Sequence, residues 1–410
     1  MISFLLLIII YLTFICFGLQ DPLLGAAWPS IYIDLNVPLS HAGFLSMIMY
    51  AGRVFTSILS EKVIKRFTTG PVILTGALIL AAALLGFSFS CSFLLLCIIS
   101  VPFSIGVGLV DVALNNYVAL HYKAKYMIWL HCFWSTGASI GPVIMSFFLI
   151  NNTWNSGYRA IGIVECFLAV IIVFTLSLWK KNNTIKNETD ENIQITHQHT
   201  REKKAQASFS ITESLRLYII RYKEILSLGG VKQIIISFFV YIALQITIVL
   251  WGSSFLVMEK NILPETAALW ISIYYIGLTL GRFVSGFISI KLNNRQIIRL
   301  GHGIMAIGLI TVILPFNGFF LMPGFFILGF GCAPIYPCLI HETPKFFGID
   351  ESPAIIGLEM AFGNIGAILV PPLFGWIASA AGFYLFPFFV GALLIISILV
   401  FESLIKKVKK

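Results

Sequence analysis

The sequence predicts an all-α membrane protein of twelve transmembrane helices in two similar six-helix halves, and three observations carry that prediction. Of 410 residues, 58% are hydrophobic and only 11% are charged, whereas soluble domains carry roughly 25% charge. Apolar runs long enough to cross a bilayer core of about 30 Å recur from end to end. The chain also aligns with itself at one fixed offset of 229 residues, as at Gly52 and Gly281, which marks an internal duplication.

The predicted spans lie near 3–30, 42–61, 70–89, 92–120, 126–150, 158–179, 231–257, 266–290, 297–316, 319–341, 353–378 and 382–403. Helices satisfy their own backbone groups, so a helical bundle is the economical reading of this pattern in lipid. The first run lacks a basic leader and continues past Asp21 towards Trp28, which argues for a membrane helix over a signal peptide. The seven cysteines, including Cys16, Cys91 and Cys332, fall in or beside apolar runs without ligand spacing. They read as small packing residues, and no metal or other cofactor is expected.

The net charge of +9 is set by basic residues between the runs, which excludes nucleic acid as the natural reading. Lys62, Lys65, Arg66, Lys123, Lys125, Lys291, Arg295, Arg299, Lys345 and the lysines of the C-terminal tail follow the even-numbered spans. The alternate connections hold little beyond Arg159 and Lys260. By the positive-inside rule both termini are expected in the cytoplasm, with a bacterial inner membrane as the expected location and a monomer in the lipid bilayer as the expected form. The expected division is an N-terminal half, 1–180, a cytoplasmic linker, 181–230, and a C-terminal half, 231–410. Within the linker, Asn182 to Lys204 is too polar to bury a core and is expected to be flexible. Ser210 and Glu213 form a capping box ahead of an amphipathic run, 215–228, suited to the inner membrane surface.

The repeat aligns Gly52-Arg53 of span 2 with Gly281-Arg282 of span 8, Gly137-Ala138 with Gly366-Ala367, and Pro142 with Pro371. Parallel repeats of this kind place a solute near the midplane between the halves. Three segments carry a family resemblance: Gly18 to Pro29, with Asp21; Gly106 to Tyr117, with Asp111, Asn115 and Asn116; and Leu130 to Pro142, with His131 and Trp134. The chain resembles the major facilitator superfamily over essentially its whole length, and within it the branch of fucose/proton symporters. The superfamily's loop after span 2, G-x-x-x-D-R-x-G-R-K/R, survives in degraded form from Ser57 to Arg66, with Glu61 and Lys62 keeping the charge order. The resemblance implies the major facilitator fold. It also implies that Asp21 and Asp111 take part in substrate binding and proton coupling, although the branch carries Glu at the position of Asp111 and Asn at that of Trp134.

The residues support a similar reading on physical grounds. Ionisable groups inside a span are costly and by default functional; Asp21, Asp111, Glu165 and Glu359 are the carboxylates so placed. A carboxylate at the midplane without compensation is expensive and a neutral one tolerable, so either Asp21 or Asp111 can cycle protons, or stand statically paired with Arg53. Arg53 and Arg282 stay charged and need acidic or carbonyl partners or a wet cavity, as gating charges or as structural clamps. Asn115, Asn116, Trp134, Gln245, Trp251 and Asn364 combine amides with aromatic faces, a set that fits a hydroxylated solute and equally fits hydrogen bonding between helices. His131 reads as a proton relay or as a bonded core histidine.

The leading expectation is a secondary active transporter for a small polar solute, a sugar among the candidates, working by alternating access with protons as coupling ion. A drug/proton antiporter is the alternative: Gly137 to Pro142 matches the middle of its span 5 signature, while Met145 and Ser146 replace the closing glycines. A scaffold without transport is the third reading. No phosphate loop, zinc-protease motif or nucleophile elbow is present, so ATP-driven transport and hydrolysis have no sequence handle.

Overall fold

The computed structural model describes residues 2–122, 124–150, 153–201, 223–314, 318–348 and 351–408. Span 1 is broken into Ile2–Gln20 and Leu23–Asp34. It is followed by span 2, His41–Phe67, span 3, Thr69–Ser88, and span 4, Phe93–His121. Span 5 is Ala124–Leu149 and span 6 begins the helix Trp154–Arg201. The second half repeats the plan with span 7, Val231–Lys260, span 8, Pro264–Ile288, and span 9, Asn294–Ile313. Span 10 is broken into Gly318–Cys332 and Ile335–Phe347, span 11 is Ser352–Ala381 and span 12 is Phe386–Val408.

Eleven helices among the described residues are long and apolar enough to cross a membrane. Span 2 has the length, with 27 residues, but only 41–56 of it form an unbroken run of fully described residues, which is too short to be counted in that set. The expectation of twelve crossing segments therefore rests, for span 2, on its place in the bundle. The side chains of Glu61 and Lys62 lie outside the described residues.

Two differences from the sequence reading have simple causes. Spans 1 and 10 break at Pro22 and Pro334 because proline lacks a backbone N–H and its ring clashes with the preceding turn; the chain resumes with Ala26 N–H bonding Pro22 O at 3.0 Å. The polar stretch expected to be flexible starts instead as a helical extension of span 6 through Arg201. It contains neither Gly nor Pro, and extending an existing helix needs no new nucleus. The capping box at Ser210 and most of the amphipathic run lie outside the described residues, though residues 223–227 are helical.

Glycines set the packing within each half. A Cβ added to Gly52 would stand 2.6 Å from Ser104 Cβ, and one added to Gly281 would stand 2.6 Å from Ala333 Cβ. Ser104 and Ala333 are themselves related by the repeat offset, so spans 2 and 4 meet as spans 8 and 10 do. Gly18 and Gly137 let span 1 lie backbone against backbone on span 5, the small-residue packing typical of membrane interiors. The halves meet along three seams, span 1 on span 7, span 2 on span 11, and span 5 on span 8.

Candidate functional site

The break in span 1 exposes the site. With Pro22 interrupting the helix, Asp21 sits where the backbone leaves its regular ladder, its N–H reaching Gly18 O at 3.3 Å. Broken helices are where transporters present polar groups at the midplane. Arg53 of span 2 donates through Nη2 to Asp21 Oδ1, and the guanidinium lies 5.0 Å from the Tyr50 ring centroid. Trp134 of span 5 donates from Nε1 to the other carboxylate oxygen, Asp21 Oδ2, at 3.1 Å. One carboxylate thus joins three helices of the N-terminal half.

The same tryptophan connects to the other half. Arg282 of span 8 lies over the Trp134 ring at 5.6 Å and donates through Nη1 to Ser135 Oγ and to His131 O, the latter at 3.3 Å. Tyr275, two turns before Arg282, meets the Trp134 ring edge-on with centroids 6.1 Å apart. The sequence alone offers Arg53 and Arg282 as an equivalent pair. Their partners differ: Arg53 is bound to a carboxylate within its own half, Arg282 to a hydroxyl and a carbonyl of the opposite half. The repeat carries the difference: Gly137 meets Ile15 O of span 1 where its counterpart Gly366 meets Phe239 O of span 7, which sets Gln245, a neutral amide, in the second half where Asp21 stands in the first.

Asp111 belongs to the neighbourhood but has another partner. Asn115, one turn on, donates from Nδ2 to Asp111 Oδ1 at 2.7 Å and to its carbonyl at 3.0 Å. Asn116 is exposed. Asn364 is half-buried on span 11, and Gln245 is buried on span 7. Trp251 is fully enclosed, its indole N–H donating to Pro371 O at 2.7 Å and its ring packed on Phe374 and Phe383. That surrounding gives Trp251 a packing role between spans 7, 11 and 12. The ring of His131 stands edge-on to Phe14.

A cleft beside the ion pair is lined by Gln20, Asp21, Ser46, Tyr50, Arg53 and Tyr158, with the apolar face of Val249 and Leu250 opposite. Spans 1, 2, 6 and 7 supply most of this lining, and Asp111 and Gln245 are not part of it. Sequence reasoning missed Gln20, Ser46, Tyr50, Ser135 and Tyr275. Tyr50 and Tyr275 were within reach of it, since one precedes Arg53 by a helical turn and the other precedes Arg282 by two.

The cleft is sealed at the end of the bundle that carries Asp34. Gly25 admits span 7 so closely that a Cβ there would stand 2.9 Å from Leu250 Cα. Ser253 Oγ donates to Ala26 O at 3.3 Å and Tyr32 Oη donates to Met258 Sδ at 3.4 Å, each tying span 1 to span 7. Elsewhere, Glu165 is 1% exposed and its Oε1 has no partner among the described residues. Glu359 is fully buried and accepts from Thr343 Oγ1 at 2.7 Å. No cluster of His, Cys, Asp and Glu able to hold a metal ion occurs among the described residues.

The chain is 19% identical over 370 residues to the glucose/mannose transporter GlcP of Bacillus subtilis, covering 89% of this chain and 86% of that protein. It is 21% identical to bypass of stop codon protein 6 of Saccharomyces cerevisiae, covering 91% and 77%, and 20% identical to the cis,cis-muconate transport protein of Acinetobacter baylyi, covering 90% and 86%. Among solved structures it superposes on a D-xylose-proton symporter with a TM-score of 0.72 at 15% identity, covering 100% of this chain and 99% of that one. A peptide-transporter-family protein in complex with 5-aminolevulinic acid matches with a TM-score of 0.75 at 14% identity, covering 98% and 96%. The fold is therefore that of these transporters, and the family model described as Major Facilitator Superfamily matches residues 10–261 and 233–410: the chain belongs to the Major Facilitator Superfamily.

Proposed function

We propose that the protein carries a small hydroxylated solute, a sugar first among them, by alternating access with proton coupling. The observation that supports this most directly is the Asp21–Arg53 pair at the break of span 1, linked through Trp134 to Arg282 of the opposite half. A carboxylate, a guanidinium and two tyrosines around one cleft offer hydrogen bonds and flat aromatic faces, the combination that sugar rings use. Asp21, Asp111, Arg53 and Arg282 balance to zero formal charge, which favours a neutral solute over an ion. The similarity to a glucose/mannose transporter and to a xylose-proton symporter points the same way.

Counterflow of radiolabelled hexoses and pentoses into liposomes, alongside cis,cis-muconate and cationic dyes, tests the proposal. Sugar counterflow accompanied by lumenal acidification is the expected result. Exchange of the acid or the dyes alone would replace the sugar reading, and flux of none would leave a scaffold.

The distribution of Lys and Arg supports a cytoplasmic location for both termini and for residues 181–230. In that orientation the sealed end, held by the span 1–span 7 contacts, faces outward. Cys91, exposed beyond span 3 at the Asp34 end, is then the natural reporter. A membrane-impermeant maleimide should label intact cells, and Cys91→Ser should abolish that labelling. Labelling found only in inverted vesicles would reverse the orientation.

A further inference from the structure

The two seams that the repeat makes equivalent are not in the same condition at the level of the arginines. Spans 5 and 8 run antiparallel, with Arg282 level with Phe133 and bound to His131 O and Ser135 Oγ on either side of it. Spans 2 and 11 are also antiparallel, with Gly43 seated on Pro372 so closely that an added Cβ would stand 2.7 Å from Pro372 Cα. Ten residues along span 2 from Gly43 is Arg53, and ten residues back along span 11 from Pro372 is Phe362. The repeat offset takes Arg282 to Arg53, Phe133 to Phe362, His131 to Met360 and Ser135 to Asn364. Span 11 therefore presents to Arg53 the same kind of seat that span 5 presents to Arg282: a helix carbonyl at residue 360 and a side-chain oxygen at residue 364.

In this state the first seat is filled and covered, since Ser135 is fully buried. The second is open, with Asn364 half-exposed and Phe362 39% exposed. Arg53 turns to Asp21. The second half offers no carboxylate at that place, because Gln245 stands where Asp21 would be.

We infer that Arg53 has two seats, the Asp21 carboxylate in the state seen here and the Asn364 side chain with the Met360 carbonyl on span 11 in the opposite state, so that Asn364 positions the arginine that closes the span 2–span 11 seam. An arginine remains charged wherever it goes. When Asp21 is neutralised by a proton, or its oxygens are taken by solute hydroxyls, the guanidinium loses its strongest partner and the span 11 seat becomes the better one. The transfer draws the Phe67 end of span 2 onto the start of span 11, which seals the cytoplasmic side and releases the span 1–span 7 contacts at the other end. A ligand or proton shifts such an equilibrium only by its differential interaction with the two states; here that difference is the exchange of partners at Arg53. The inference rests on alternating access but not on the identity of the solute.

Hydrogen exchange of the full-length protein in lipid nanodiscs, without solute, tests it. Asp21→Asn should slow amide exchange in residues 352–364 on the order of tenfold and speed it in 23–34 and 249–260, reporting a shift to the opposite state. Adding Asn364→Leu should return the pattern to that of the parent protein. Adding Asn364→Ser instead, which reproduces the hydroxyl that Arg282 uses, should preserve the shift. An unshifted pattern in Asp21→Asn overturns the inference. So does a shift that survives Asn364→Leu, or one that Asn364→Ser abolishes as Asn364→Leu does. The readout needs no transport, so a failed counterflow assay with this pattern intact would sink the sugar proposal alone.

Discussion

Asp111→Asn is expected to leave solute exchange running while abolishing accumulation against a gradient. The amide has nearly the shape of the protonated carboxyl and can still accept from Asn115, whose Nδ2 lies 2.7 Å from Asp111 Oδ1, so the local helix face should hold. What the variant lacks is the ability to gain and lose a proton as the site changes sides. One proton crossing about 100 mV supplies about 2.3 kcal/mol, enough to sustain roughly a fiftyfold solute gradient at 1.36 kcal/mol per decade. Uptake into energised liposomes should therefore fall from that order to simple equilibration, with counterflow retained. Asp21→Asn should weaken binding as well, because an amide keeps one acceptor oxygen where the carboxylate offers Arg53 and Trp134 one each. If both variants still accumulated solute in full, proton coupling through these residues would be ruled out and both carboxylates would stand as structural.

Much of this was readable in the chain, for identifiable reasons. Apolar run length fixes helices in lipid because no other backbone can be satisfied there, so the spans followed from composition. The repeat was legible because Gly52 and Gly281 are tied to equivalent neighbours, Ser104 and Ala333, that leave no room for a side chain. Asp21, Arg53 and Trp134 stood out as polar groups in apolar runs, and they converge. A pairing of Arg53 with Asp21 or Asp111 was among the readings, but the choice of Asp21 and the parts of Trp134 and Arg282 were not legible: helices brought together from residues 21, 53, 134 and 282 meet through packing that local sequence does not encode. Trp251 shows the converse, since an indole in a span reads as a binding face until its N–H is found on Pro371 O. The breaks at Pro22 and Pro334 were present as prolines yet hidden by the hydrophobic runs around them. The asymmetry between the two arginines needed both sources, the repeat to make them equivalent and the contacts to show where equivalence ends.

Arg53→Ala should be the most damaging single change at the site, and its repair is the informative part. Removing the guanidinium leaves the Asp21 carboxyl 10% exposed, with the indole of Trp134 as its remaining side-chain partner among the described residues. Breaking a buried pair from one side costs about 3–5 kcal/mol, and the partial exposure of Arg53, 20%, brings the expected loss towards the lower end, about 3 kcal/mol. Thermal unfolding of the purified variant should show that loss, and transport should vanish with it. The double variant Arg53→Ala/Asp21→Asn removes the orphaned charge and should recover most of the stability, since a pair deleted from both sides leaves nothing uncompensated. Transport separates the two roles of the arginine. If Arg53 were only a counter-ion, the double variant would regain solute exchange along with its stability. If Arg53 also carries closure between spans 2 and 11, the double variant should be stable and still unable to exchange solute, and a stable double variant with parental exchange rates would remove Arg53 from the mechanism.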